Sequence, residues 1–216
     1  MIFSHRTVSP VPDTPGPKTT RSPGPAPHPA PEPRRAAPGF PAVTVRDARP
    51  DELAELGDLR VTAYEAGGFL ADASHYGETL RTLGHDGIGQ ILVAVGDGDS
   101  GAGRTGDGGT GQLLGTVMLQ LWPHAEHVVQ APDEAEIRAL AVTPEARGRG
   151  VGATLLRAVA DRARACGVRR LVLSTQTTML AAQHLYTEAG FRRLPERDWQ
   201  PVPGFTLLAY GVELSD

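Results

Sequence analysis

The six residues Arg147-Gly148-Arg149-Gly150-Val151-Gly152 decide the fold of this chain, because of what stands on either side of them. Before them runs AEIRALAV, residues 135–142, an apolar-rich segment of strand length that leads through Pro144 into the glycines. After them runs ATLLRAVADRARACG, residues 153–167, which spaces Leu155, Leu156, Val159, Ala163 and Cys166 onto one side of a helix. Arg157, Asp161, Arg162 and Arg164 fall largely on the other side, so the apolar stripe should lie on a sheet. A glycine-rich turn between a strand and a helix lets successive N–H groups point at one anion, and the helix N-terminus adds partial positive charge. Arg147 and Arg149 can add charge-assisted bonds. No Lys-Ser or Lys-Thr follows the glycines, which excludes the phosphate loop of the nucleotide hydrolases, and a third glycine at dinucleotide-fold spacing is missing. A basic turn that merely caps a helix remains the alternative from these residues alone.

Working outward, RRLVLST (169–175) reads as a strand, MLAAQHLYTEAG (179–190) as a helix, and FRRLP and TLLAYGVEL as two closing antiparallel strands. The strand, helix, strand crossover through the glycine turn predicts a parallel pair. Upstream, AVTVRDA (42–48) reads as a strand and RPDELAELGDLRVTAYEAG (49–67) as a helix with Leu53, Leu56, Leu59, Val61 and Tyr64 on its apolar side. A shorter helix follows over ASHYGETLRTL (73–83), then QILVAV and LLGTVMLQLW as a hairpin. The break in that hairpin, GDGDSGAGRTGDGGTG (96–111), reads as a loop without chemistry. The fold class is therefore α/β, a mixed sheet with helices on both faces.

Residues 1–41 hold 12 of the 19 prolines and few large apolar side chains, so they read as a disordered tail before a domain at 42–216. The remainder carries 16 basic and 23 acidic residues, which argues against nucleic-acid binding. That balance suits a cationic substrate such as an amine, and equally a solvated acidic surface. No stretch has the length of a signal peptide or a membrane span, and the lone Cys166 fits a reducing compartment, so the expected location is the cytoplasm, away from membranes. His124 and His127 stand three apart with no further ligands near them, and no metal site is expected.

The segment LAVTPEARGRGVG resembles the coenzyme A signature of the GNAT superfamily of N-acetyltransferases: Arg or Gln, two residues, Gly, one residue, then Gly or Ala. LYTEAGF, residues 185–191, is similar to the second signature of that family. The resemblance implies acetyl-CoA as co-substrate. It makes Arg147, Gly148, Arg149, Gly150, Val151 and Gly152 the pyrophosphate loop, and the backbone of Leu140, Ala141 and Val142 the partner of the pantetheine arm, with Val142 N–H facing the oxyanion. It places Tyr186 where its phenol can protonate or hydrogen-bond the departing thiolate.

Glu136, eleven residues before Arg147, stands where several such enzymes carry their general base, with Glu134 as the second candidate. Strand alternation puts Glu136 on the face of Arg138 and Leu140. Where the family often has Asn, seven residues before the tyrosine, this chain has Met179, so that polar contact falls to Gln176, Thr177 or Thr178 or is lost.

The implied acceptor is a primary amine on a small molecule or peptide, walled by some of Tyr64, Phe69, Tyr76, Trp122 and Trp199, in a monomer or homodimer. The competing reading is an acyl-CoA sensor of the same fold with little catalytic activity.

Overall fold

The computed structural model describes residues 43–70, 74–96, 111–125 and 128–214. All of them belong to the compact unit Gly39–Asp216. The proline-rich residues 1–41, most of the glycine-rich break (97–110) and His127 lie outside the described residues.

The chain runs β1 (Val43–Asp47), a 3-10 turn (Pro50–Glu52), α1 (Leu53–Glu65), α2 (Ser74–Thr82), β2 (Gln90–Gly96), β3 (Gln112–Leu121) and β4 (Glu134–Val142). A second 3-10 turn (Pro144–Ala146) leads to α3 (Val151–Ala165), β5 (Arg170–Gln176), α4 (Leu180–Glu188), β6 (Arg192–Arg193), β7 (Trp199–Val202) and β8 (Phe205–Glu213). The strands form one sheet in the order β1-β2-β3-β4-β5-β8-β6, with β7 paired to β8. β4 and β5 are the parallel pair expected across α3, and the other neighbours are antiparallel. β7 was not legible as a strand: Pro201 interrupts a segment of four residues.

The helices cover both faces. Under α3 and α4 lies the larger core, in which Leu155, Leu156, Val159, Ala163 and Tyr186 meet Val117, Leu119, Ala135 and Ile137. Under α1 lies a second core, where Leu56, Leu59 and Ala63 meet Val93, Val95 and Met118. The expected α3 stripe is buried except for Cys166, which caps the helix and is exposed because Gly167, at φ 77°, turns the chain away. α1 and α2 touch closely at Gly57, where a Cβ would come within 2.5 Å of the Arg81 carbonyl oxygen.

One irregularity positions everything that follows. Met118 of β3 faces Arg138, but Thr116 faces Ala141, so Ala139 and Leu140 together oppose a single residue. Ala139 takes the left-handed conformation, at φ 48°. This bulge reverses the strand's alternation: Ala135 and Ile137 face the α3 core before it, whereas Leu140 and Val142 pack there after it. Glu136 and Arg138 thus share a face, and Leu140 is turned to the opposite one, contrary to simple alternation. Beyond the bulge β4 also parts from β5. Their ladder covers only Glu134–Ile137 against Arg170–Leu173, while β5 stays paired with β8 as far as Gln176 and Leu207.

Candidate active site

The divergence of β4 and β5 opens a cleft of about 520 Å³ between them. One wall is the free edge of β4 from Ala139 to Val142, and the other is Ser174 and Thr175 of β5 with Met179, Leu185 and Tyr186 around α4. Gly148, Gly150 and the start of α3 close one end, and Ala63, Tyr64 and Phe69 stand on the α1 side.

Gly148 and Gly150 hold φ angles of 72° and 78°, in the region open to glycine. No heavy atom lies within 4 Å of a Cβ built on either, so each supplies a conformation, not a contact. Gly152 differs, because a Cβ there would lie 3.1 Å from Leu185 Cδ2, at the close approach of α3 to α4. The first α3 bond runs from Thr154 N–H to the Gly150 carbonyl. The N–H groups of Val151, Gly152 and Ala153 therefore have no acceptor within the helix and are presented at its positive end, beside the cleft. Val151 contributes only backbone, since its side chain is buried in the α3 core. On β4, Thr143 N–H donates to the Leu114 carbonyl at 3.0 Å, on the β3 side, so alternation turns the Val142 N–H toward the cleft.

The two arginines of the turn are placed differently. Arg147 reaches the cleft wall, but its Nη2 donates to the Ala63 carbonyl at 2.6 Å. Arg149 is exposed and does not line the cleft.

Tyr186 is buried on the cleft wall, its ring centroid 5.9 Å from that of Phe191 and 6.2 Å from that of Tyr210. Burial, reinforced by the neighbouring Tyr76 phenol, pushes its ionisation far above that of a free tyrosine, so the hydroxyl stays protonated. Met179 is buried at the start of α4, with Thr175 Oγ1 donating to its sulfur at 3.4 Å. Gln176, Thr177 and Thr178 do not line the cleft, and Gln176 Nε2 is engaged by the Phe69 carbonyl at 3.0 Å.

Glu134 and Glu136 are both buried on β4, but Glu134 is held structurally. Arg197 grips it with two bonds of 2.8 and 2.9 Å, Gln130 N–H adds a third at 2.8 Å, and Arg170 stands 3.5 Å away. Burial alone would raise its carboxyl, yet Arg197 and the Gln130 N–H outweigh it and hold the group below the ordinary range. Glu136 faces the α1 side next to Arg138, whose Nη1 donates to Gln120 Oε1 at 2.7 Å, and it does not line the cleft.

Of the five aromatics singled out in the sequence, Tyr64 and Phe69 line the cleft and Tyr76 packs on Tyr64, with centroids 5.9 Å apart. Trp199 donates from Nε1 to Ser174 Oγ at 3.0 Å, and Trp122 is exposed. Arg60 escaped notice in the sequence and is fully buried beneath the tyrosines. The signal was present: Arg60 falls inside the stripe of Leu56, Leu59 and Ala63. Among the described residues no group of three His, Cys, Asp or Glu side chains is placed to hold a metal, and no helix is long and apolar enough to cross a membrane.

Residues 87–191 match the acetyltransferase (GNAT) family model. The chain is 35% identical over 164 residues to a mycothiol acetyltransferase of Sanguibacter keddieii, covering 73% of this chain and 46% of that protein. It is 38% identical over 85 residues to a mycothiol acetyltransferase of Cellulomonas flavigena, covering 38% of this chain and 24% of that protein. The chain thus spans less than half the length of these curated relatives. Among solved structures it shares its fold with yncA of Salmonella typhimurium, solved with its cofactor acetyl-CoA, at TM-score 0.54 and 18% identity over 81% of this chain and 95% of that one. Fold, strand divergence and family match agree on an acetyltransferase (GNAT) domain over residues 87–191.

Proposed function

We propose that this chain is an N-acetyltransferase that moves an acetyl group from acetyl-CoA directly to a primary amine on a small molecule or peptide, with residues 42–216 as the catalytic unit. The observation that carries the reading is the cleft itself: an unpaired strand edge, a helix N-terminus with free N–H groups and a buried phenol line the same space. The donor set suits coenzyme A. The N–H groups of Val151 to Ala153 offer neutral, directional donors for a pyrophosphate, with Gly148 and Gly150 supplying the required turn. Beyond the bulge, the backbone of Leu140, Ala141 and Val142 supports a linear amide chain as a further strand would.

In the reaction the amine nitrogen bonds to the thioester carbonyl carbon and the carbon–sulfur bond breaks. Val142 N–H is oriented to stabilise the oxyanion. Tyr186 donates a hydrogen bond to the departing sulfur. A phenol raised by burial is a weaker acid than a thiol of ordinary pKa, about 8.5, so Tyr186 steadies the thiolate and keeps its own proton. Glu136 takes the proton of the amine; Glu134, gripped by Arg197, is the poorer base.

The test is a calorimetric titration of the full-length protein with acetyl-CoA and with CoA, followed by measurement of turnover on a panel of primary amines. Salt-sensitive binding that disappears in Gly150→Glu supports the reading. Absence of binding to either compound would sink it, and tight binding with no turnover on any amine would favour the sensor.

A further inference from the structure

The helix that carries Tyr186 starts without the polar cap that usually fixes a first turn, since the side chain of Met179, its N-cap residue, makes no cap bond. Gln183 holds that turn in another way. Its Nε2 donates back to the Gln176 carbonyl at 3.0 Å and to the Thr177 carbonyl at 3.1 Å, on the chain that leads from β5 into α4. Its Oε1 accepts from the hydroxyl of Tyr210 on β8 at 3.3 Å. Both ends of the amide are thus used, and α4 is tied to two strands three residues before Tyr186. Tyr210 also sets its ring against that of Tyr186, at 6.2 Å between centroids.

Gln176, the last residue of β5, continues the connection. Its backbone carbonyl takes the bond from Gln183, while its own Nε2 donates to the Phe69 carbonyl at 3.0 Å. Phe69 is joined in turn to Tyr64, whose carbonyl accepts the Phe69 N–H at 3.0 Å and whose ring meets the Phe69 ring edge-on, with centroids 6.3 Å apart. Tyr186, Tyr64 and Phe69 line the cleft, and neither glutamine does. Gln176 is buried and Gln183 half-buried behind it. The two amides therefore link α4 to the wall beyond α1 without entering the space where the substrates would lie.

We propose that Gln183 and Gln176 are positioning residues whose amides form a bridge that sets where the Tyr186 hydroxyl stands relative to the wall of Tyr64 and Phe69. The proposal rests on Tyr186 being the group that steadies the departing sulfur. A donor stabilises developing charge only when it is held at bonding distance before the reaction begins. Gln183 supplies that hold for the helix start, and Gln176 refers it to the opposite wall. Neither amide changes charge or meets a reacting atom, so geometry is what they contribute.

Two measurements on the full-length protein test this. The first, backbone hydrogen exchange read by mass spectrometry, needs no acceptor. Gln183→Leu keeps the bulk of the side chain and deletes its three bonds, so exchange over residues 179–186 should speed up. Gln176→Leu should speed exchange over residues 66–69 and leave 179–186 as they were, because the Gln176 carbonyl still receives Gln183. Unchanged exchange in either segment overturns the bridge. The second is turnover of acetyl-CoA with n-propylamine, with kcat expressed per acetyl-CoA site counted by calorimetry, so that an unfolded fraction is not scored as slow chemistry. Gln183→Leu should lower kcat at least about tenfold and no further than Tyr186→Phe does, with KM for acetyl-CoA unchanged. Gln183→Glu keeps an acceptor for Tyr210 but turns a carboxylate on two carbonyls, and should behave in the same way. Gln183→Leu combined with Tyr186→Phe should be no slower than Tyr186→Phe alone. Full activity in Gln183→Leu, or losses that multiply in the double variant, overturn the bridge while leaving Tyr186 in its role. Full activity in Tyr186→Phe removes the sulfur donor itself, and the positioning role falls with it.

Discussion

The Arg147 guanidinium donates to the Ala63 carbonyl at 2.6 Å, tying the glycine turn to the last turn of α1 across 84 positions of sequence. Arg147 thereby neutralises a carbonyl at the negative end of α1 and fixes the distance between the turn and Tyr64. Its main contribution is positional, so Arg147→Ala should weaken acetyl-CoA binding by no more than about tenfold, the 1.4 kcal/mol typical of one hydrogen bond. Calorimetry with the variant checks this, and the salt dependence of its affinity should match that of the unaltered protein. A collapse of binding comparable to that in Gly150→Glu would mean that the side chain itself holds the anion.

Tyr186 is held protonated by burial, so its removal should affect the chemical step and leave binding intact. Tyr186→Phe is expected to lower kcat by about 10²-fold, the usual effect of deleting one donor to a developing charge, with acetyl-CoA affinity unchanged. Since the phenol keeps its proton, the basic limb of the pH–rate profile should survive the substitution. Disappearance of that limb would show that Tyr186 titrates in the working range.

How far this site could be read in advance depends on whether each feature is local. The crossover through the glycine turn was legible, because strand length, left-handed glycines and the α3 stripe all fall within about thirty consecutive residues. The turn of Leu140 onto the opposite face was not. Ala139, Leu140 and Ala141 carry no mark of a bulge, which arises from the register imposed by Thr116 and Met118 on β3. Arg147 found a carbonyl that no spacing rule connects to it. Arg60 was overlooked for the opposite reason: its position in the apolar stripe was plain, but arginine is rarely fully buried.

Glu134 and Glu136 occupy neighbouring positions on one face of β4, and their partners predict opposite behaviour. Arg197 and Glu134 have side chains 9% and 6% exposed, so Arg197→Ala leaves a buried carboxylate without its two strongest bonds. The expected loss is about 3 kcal/mol, the lower end for breaking a buried pair, because Arg170 remains 3.5 Å away. Urea unfolding measures it. Glu134→Gln should likewise lower stability while preserving kcat, whereas Glu136→Gln should lower kcat. An exchange of those two outcomes would make Glu134 the base.

Glu52 gives the clearest pH signature. Arg46 binds both its oxygens, at 2.8 and 2.6 Å, and Arg49 N–H donates to it at 2.8 Å, which joins β1 to the start of α1. The Arg46 bonds outweigh burial and, with Arg49, hold the Glu52 carboxyl down at about 2. A glutamate in the unfolded chain titrates near about 4.3, so the unfolded state takes up the proton first as the solution is acidified. The contribution of Glu52 is therefore complete above about pH 4.3 and is lost as the pH falls toward about 2. Glu52→Gln should cost about 1.5–3 kcal/mol at neutral pH, the range for hydrogen bonds to a charged group. Unfolding curves of the two proteins should converge as acid protonates Glu52 in the folded state. A difference that persisted unchanged there would assign the loss to packing around the side chain, with no part played by its charge.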